Sequence, residues 1–158
     1  MSNEPNMTRL YKYVLMLMLT LLAGFTQAAE PALLTLFVPG RTLDQATEAV
    51  KLAIGARNYT FVRQQAIDSR LVPQEWEAKS VRIVYFCNFD MMNEALRRNK
   101  LTTQIMPCRI TLIEGEKGID LVAVNPAWIS EQWNAPDLQS GCRQLKQDYL
   151  AILEEAAI

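Results

Sequence analysis

The sequence has no histidine, only three cysteines among its 158 residues, and no excess of charge of either sign. Without histidine it cannot form a Ser-His-Asp or Cys-His catalytic arrangement or a histidine-bearing zinc site. It also has no phosphate-binding glycine loop, because Gly115 and Gly118 belong to a hairpin turn and not to a strand-to-helix turn. These absences argue against ordinary hydrolase and nucleotide chemistry and favour a non-enzymatic protein.

The charge balance gives no sign of a nucleic-acid partner. Lysine and arginine number 16 and aspartate and glutamate 17, for a net charge of −1. The one basic cluster, Arg97, Arg98 and Lys100, falls at the end of a predicted helix, where cations complement the helix dipole. Nucleic-acid binding needs many phosphate contacts on one face, so this cluster does not predict it.

The N-terminal segment has the pattern of a secretory signal. Arg9 and Lys12 precede an uninterrupted apolar run from Tyr13 to Phe25, and small residues surround a cleavage point after Ala28. A helix of about 13 residues spans about 20 Å, short of the roughly 30 Å hydrocarbon core of a membrane. We therefore predict a cleaved signal over residues 1–28, with Met1 and Met7 both open as the start. The mature protein is expected to be periplasmic or secreted, without a permanent membrane span.

Hydrophobic periodicity predicts one domain over residues 29–158 with the order β-α-β-β-α-β-β-α. The predicted strands cover 31–39, 59–67, 80–89, 103–113 and 119–124, and the predicted helices cover 42–55, 91–100 and a long segment from 137. A loop is predicted over 68–79, and Trp128 and Trp133 lie in a connecting stretch. Adjacent strands with interspersed helices indicate an α+β two-layer sandwich, with an antiparallel or mixed sheet and helices on one face.

Local signals support several of these elements. Thr42 and Gln45 fit a capping box at the start of the first helix. Asp90 is the expected cap of the second helix. Pro107 interrupts the fourth strand, since proline cannot donate to a strand ladder.

Two cysteines are the main chemical feature. Cys87 stands near the end of the strand at 80–89, and Cys108 follows Pro107, with a helix between them. The helix runs back along the sheet and an extended return runs forward, so both sulfurs can reach one end of neighbouring strands. In an oxidising compartment such a pair is first a disulfide candidate, and closing a loop of about 22 residues contributes about 3 kcal/mol.

Three other interpretations of this pair stay open. The two thiols could form a redox or sulfur-transfer pair, or they could be unrelated buried cysteines. With Met106, or with Met91 and Met92, they could also bind a soft ion such as Cu(I). Cys142 lies on the apolar face of the last helix, where core filling is the default.

Four further residues are candidates for lining a ligand site. Asn88 and Asn125 are polar groups near strand ends, and Met106 and Arg109 flank the Pro107-Cys108 pair. A guanidinium near the sulfur would lower the pKa of Cys108, although neighbours in a strand point to opposite faces.

The segments Phe86-Cys87-Asn88-Phe89 and Ile105-Met106-Pro107-Cys108-Arg109-Ile110, with the hairpin and residues 122–126, resemble the bacterial domain of unknown function 302 family. The resemblance covers about residues 35–126 and leaves 127–158 as a C-terminal helical extension. It implies a compact α+β domain with a curved antiparallel sheet, often self-associating, and it implies no reaction.

The leading hypothesis is a non-enzymatic periplasmic or secreted binding module for an unknown small ligand or protein partner. Its site would be Cys87 and Cys108, either bonded or jointly available to a soft ligand, and no cofactor is expected beyond the Cu(I) alternative. One alternative is a thiol redox or sulfur-carrier protein with Cys108 as nucleophile and Cys87 as resolving residue. Another is a structural dimerisation domain that forms a homodimer.

Overall fold

The computed structural model describes residues 11–13, 29–67 and 81–158. Its strands are β1 (Leu33–Pro39), β2 (Thr60–Ala66), β3 (Val81–Cys87), β4 (Cys108–Gly115) and β5 (Gly118–Val124). Its helices are α1 (Leu43–Ala56), α2 (Phe89–Arg98), α3 (Pro126–Gln132) and α4 (Pro136–Ala157), with a 3₁₀ turn at Lys100–Gln104. All strand pairs are antiparallel, in the order β1-β5-β4-β3-β2. The predicted α+β two-layer sandwich is confirmed.

The core lies between one face of the sheet and helices α1 and α4. Strand alternation places Val84 and Phe86 of β3 on this face, and both are fully buried. The ring of Phe86 meets Tyr59 and Tyr149 edge-on, with centroids 5.4 Å and 5.3 Å away. The other large core side chains come from all layers: Val38, Val50, Ile54, Ile110, Leu112, Ile119, Leu121, Ile152 and Leu153.

The two capping predictions have different outcomes. Thr42 and Gln45 form the predicted capping box, with the backbone N–H of each donating to the side chain of the other. The prediction that Asp90 caps the second helix is wrong. Asn88 has the extended backbone of a cap, and its Oδ1 accepts from the Met91 N–H at 3.0 Å. Helix α2 therefore starts at Phe89, two residues before the predicted start.

Two other elements differ from the sequence prediction. The expected strand over 103–113 begins only at Cys108, because Pro107 has no N–H for the ladder and residues 100–104 form the 3₁₀ turn. The Met106–Pro107 peptide bond is cis. The predicted connecting stretch contains α3, where Asn125 caps the helix and Pro126 occupies its first position.

Several predictions fall outside the described residues. The segment predicted as a signal, 1–28, lies there apart from residues 11–13, which are helical, and so does the segment 68–79, which was predicted as a loop. Within the described ranges, no helix is long and apolar enough to cross a membrane.

Candidate functional site

A cavity of about 290 Å³ lies between α2, the 3₁₀ turn and the first half of α4. Its floor is the start of β4. Its apolar and sulfur-bearing lining consists of Tyr59, Met91, Ala95, Ile105, Met106, Cys108, Leu138, Gly141, Cys142 and Leu145, and its polar lining of Asn88, Glu94, Arg98, Thr102, Asp137 and Ser140.

One face of α2 forms a wall of this cavity. Met91, Glu94, Ala95 and Arg98 line it, and their spacing is that of a single helical face. No residue of α2 is fully buried. The helix therefore covers the cavity without filling it.

Cys108 lies at the floor as the first residue of β4. It is buried and faces Phe86 in the register of β3 and β4. The Tyr149 hydroxyl lies next to the Cys108 thiol and accepts from the Arg109 backbone N–H at 3.0 Å. Burial raises the pKa of Cys108 to about 12, although the Tyr149 hydroxyl acts in the opposite direction. At neutral pH Cys108 is therefore a neutral thiol.

Tyr59 supplies a second hydroxyl to the cavity. Its Oη donates to Asp148 Oδ2 at 2.7 Å and lies 3.8 Å from Met91 Sδ. Burial, followed by the hydrogen bond with Asp148, raises the pKa of Tyr59 above its usual range. The Tyr59 hydroxyl therefore stays protonated, and Asp148 holds it in place at the cavity wall.

The structure places Cys87 and Cys108 at one end of neighbouring strands, but it does not join them. All three cysteines of the chain are free and buried, so the disulfide alternative is absent from this structure. Because Phe86 is the register partner of Cys108, the adjacent Cys87 points to the other face of the sheet. Cys87 does not line the cavity, and its Sγ lies 3.7 Å from Met92 Sδ.

The other predicted site residues divide into two groups. Asn88 and Met106 line the cavity. Arg109 is exposed and does not line the cavity. It is also not among the causes that shift the pKa of Cys108. Asn125 is fully buried elsewhere: its Oδ1 accepts from the Ala127 N–H, and its Nδ2 donates to Glu30 and to the Pro31 carbonyl.

Sequence reasoning did not assign Tyr59 to the cavity lining, and it did not place Tyr149 next to Cys108. It placed Cys142 in the core, where that residue is indeed buried beside Leu138, but Cys142 also lines the cavity. The spacing of Met91 and Ala95 on one helical face was a usable signal. No sequence signal places Tyr149 beside Cys108.

The cavity offers neutral sulfur and hydroxyl groups and few charges. Within residues 29–67 and 81–158, no group of three or more cysteine and carboxylate side chains is arranged to hold a metal ion. Glu94 and Arg98 form an ion pair at 2.9 Å, and both are half-exposed. The arrangement suits binding of an uncharged molecule.

Together, the fold and the cavity define an α+β domain with an open antiparallel sheet and a ligand-sized space at one sheet end. The chain belongs to the family described as domain of unknown function DUF302, whose model matches residues 36–156. The resemblance in the sequence is thereby confirmed, and the match extends beyond residue 126 into α3 and α4.

A solved structure supports the same fold. It is an uncharacterized conserved DUF302 protein from Bacillus stearothermophilus, with a TM-score of 0.71 and 15% sequence identity, and the alignment covers 80% of this chain and 99% of that one. No curated protein matches this chain.

Proposed function

We propose that this protein is a non-enzymatic binding module that takes one small apolar ligand into the cavity beside Cys108. The observation that carries the proposal is the cavity itself, about 290 Å³ in volume and lined mainly by apolar and sulfur-bearing side chains. Small-molecule sites are concave and mostly apolar, with a few fixed polar groups, and typically measure about 300–1,000 Å³. An engineered apolar cavity of about 150 Å³ holds benzene, so a one- or two-ring ligand fits here.

Polarity along the cavity supports an orientation for this ligand. The floor holds Cys108 and Met106, while Glu94 and Arg98 on α2 are half-exposed. The apolar part of a ligand would pack against the sulfur atoms, and any polar group would remain near the ion pair. Two fixed polar groups add a small number of contacts: the Asn88 side-chain NH2 can donate, and Tyr59 Oη, whose proton goes to Asp148, can accept.

The thiol redox alternative receives less support. A cysteine nucleophile reacts as its thiolate, and burial holds Cys108 in the neutral form at physiological pH. The proposed resolving residue, Cys87, lies on the opposite face of the sheet. Dimerisation, export and a periplasmic or secreted location stay predictions.

A cavity-filling pair of variants tests the binding proposal. Gly141 of α4 and Gly55 of α1 are both helical glycines at which an added Cβ would meet nothing within 4 Å, but only Gly141 lines the cavity. We expect Gly141→Leu to abolish binding of indole and similar ring compounds, measured by calorimetry, and Gly55→Leu to leave it unchanged.

Thermal unfolding provides a second measurement. A ligand at about 100 times its Kd stabilises the folded state by about 2.7 kcal/mol, so the unfolding temperature should rise for the wild type and for Gly55→Leu only. If a panel of one- and two-ring apolar compounds gives no shift with the wild type, or the same shift with Gly141→Leu, the proposal is wrong.

A further inference from the structure

Tyr59 presents its hydroxyl oxygen at the wall of the cavity in a fixed orientation. The residue is only 6% exposed, and its ring packs edge-on against Phe86 with the centroids 5.4 Å apart. The hydroxyl oxygen lies 3.8 Å from the sulfur of Met91, which also lines the cavity. The ring is therefore held in place, with its hydroxyl at the cavity wall beside Met91.

The single proton of the Tyr59 hydroxyl is directed away from the cavity. It is donated to Asp148 Oδ2 at 2.7 Å, and Asp148 does not line the cavity. The other carboxylate oxygen, Oδ1, accepts from Gln144 Nε2 at 3.2 Å, which holds the carboxylate in position. Among the residues that the structure describes, none donates to Tyr59 Oη. The cavity therefore receives the lone pairs of this oxygen, which act as a hydrogen-bond acceptor.

We propose that this acceptor makes Tyr59 the specificity-determining residue of the cavity and selects aromatic ligands with one neutral N–H or O–H donor, such as indoles and phenols. The inference rests on the binding function proposed above and names the class of ligand for that same cavity. A polar N–H that enters an apolar space loses its bond to water, and an acceptor in the cavity offsets this cost. The bond to Asp148 strengthens Tyr59 Oη as an acceptor, because hydrogen bonds in a chain polarise one another.

The groups around Tyr59 favour a ligand that is both aromatic and uncharged. Met91 and Met106 line the same cavity, and thioether sulfurs make favourable contacts with aromatic rings. An anion at this wall would meet the lone pairs of Tyr59 Oη with the Asp148 carboxylate behind them. A charge of either sign also has a large desolvation cost in an apolar space. The donor group must therefore be neutral, as it is in indole and in phenol.

Calorimetry with indole and indene tests the inference, because the two compounds have the same ring shape and only indole carries an N–H. A purely apolar cavity would favour indene, whereas the wild type should bind indole at least as tightly as indene. Tyr59→Phe should weaken indole binding by roughly fivefold to tenfold, the usual loss for one hydrogen bond, and leave indene binding unchanged. Tyr85→Phe is the matched control: it removes a hydroxyl on the opposite face of the sheet and should bind both compounds like the wild type.

The comparison of the two compounds on the wild type keeps the test decisive should Tyr59→Phe fail to fold. Tighter binding of indene than of indole by the wild type, or an equal loss of both compounds in Tyr59→Phe, would overturn the inference about Tyr59. If indene binding is then still abolished by Gly141→Leu, the cavity remains the binding site and only this inference is wrong. If neither compound nor any other ring compound binds to the wild type, both proposals are wrong.

Discussion

Gly118 fixes the approach of two strands at the start of β5. Its φ is +157°, and an added Cβ would lie 2.2 Å from the Val38 carbonyl oxygen. Strand β1 pairs with β5 so that Pro39 is opposite Gly118. The backbone of β1 thus occupies the space that any side chain at this position would need.

We expect Gly118→Ala to lower the free energy of unfolding by about 2 kcal/mol or more, since strained backbone conformations cost about 1–3 kcal/mol each and the contact adds to that cost. Urea denaturation gives the value. Gly55→Ala is the control: alanine is favoured over glycine inside a helix by about 0.5–1 kcal/mol, so this variant should be more stable. Wild-type stability in Gly118→Ala would contradict the close approach of β1.

Cys108 should be unreactive in the folded protein. Burial raises its pKa from the ordinary 9.0 to about 12. At any pH below 9, the thiolate fraction is therefore about a thousandfold lower than that of an ordinary cysteine. Iodoacetamide at pH 8 should therefore modify Cys108 rapidly in urea and very slowly in the native state, as measured by peptide mass spectrometry. Rapid native modification would instead support the thiol redox alternative.

Helix α2 shows how far the sequence determines an element. Periodicity predicted the helix, but not its first residue, because Asn88 and Asp90 are both good capping residues. The choice depends on where β3 ends: pairing with β2 and β4 keeps the chain extended to Cys87, and Asn88 is the next residue with extended backbone. Such a boundary is set by tertiary pairing and not by local preference.

We expect Asn88→Ala to destabilise the protein by about 1 kcal/mol, the usual cost of losing a helix cap, because the Met91 N–H loses its 3.0 Å acceptor. Ligand affinity should also fall, since α2 is one wall of the cavity. Asp90→Ala is the matched control and should change stability far less. Chemical denaturation measures the free energy of unfolding of both variants. An equal loss of stability in both would contradict the assignment of Asn88 as the helix cap.

The missed elements have local explanations. The strand predicted over 103–113 begins late because the chain before it is held in the 3₁₀ turn: Asn99 Oδ1 accepts from the Leu101 N–H, and the Thr102 hydroxyl donates to the Ala95 carbonyl. Such side-chain bonds compete with strand formation. Asn125 and Pro126 directly follow the last residue of β5, and the same pair is also a helix start.

The candidate site was only partly readable from the sequence. Cys108 was selected for its thiol, Met106 as a neighbour of the Pro107-Cys108 pair and Asn88 as a polar group near a strand end, and all three line the cavity. Tyr149 reaches Cys108 from α4, 41 residues further along the chain. This contact depends on how α4 packs against the sheet, and no local sequence pattern predicts it.

At the scale of the whole molecule, the segment at 29–32 is tied to the opposite end of the chain. Glu30 accepts from Lys146 of α4 at 2.7 Å and 2.8 Å, and from Asn125 at 3.0 Å. The Asn125 backbone N–H donates to the Ala32 carbonyl at 2.9 Å. These bonds attach the segment before β1 to both α4 and the start of α3.

This attachment should weaken in acid. The bonds from Lys146 and then Asn125 lower the pKa of Glu30 from 4.5, so its folded-state pKa lies below its unfolded value. The contribution of Glu30 is therefore complete above about pH 4.5 and is lost as the pH falls through the folded-state pKa. A partly exposed pair of this kind contributes about 1 kcal/mol.

Urea unfolding at steps from pH 7 to pH 3 measures this contribution. Glu30→Gln should be less stable than the wild type at pH 7, and the two curves should converge below pH 4.5 as the wild-type carboxylate takes up its proton. Glu154→Gln, at an exposed position on α4, should follow the wild type throughout. Parallel curves for Glu30→Gln and the wild type would mean that Lys146 and Asn125 hold this segment without help from the Glu30 charge.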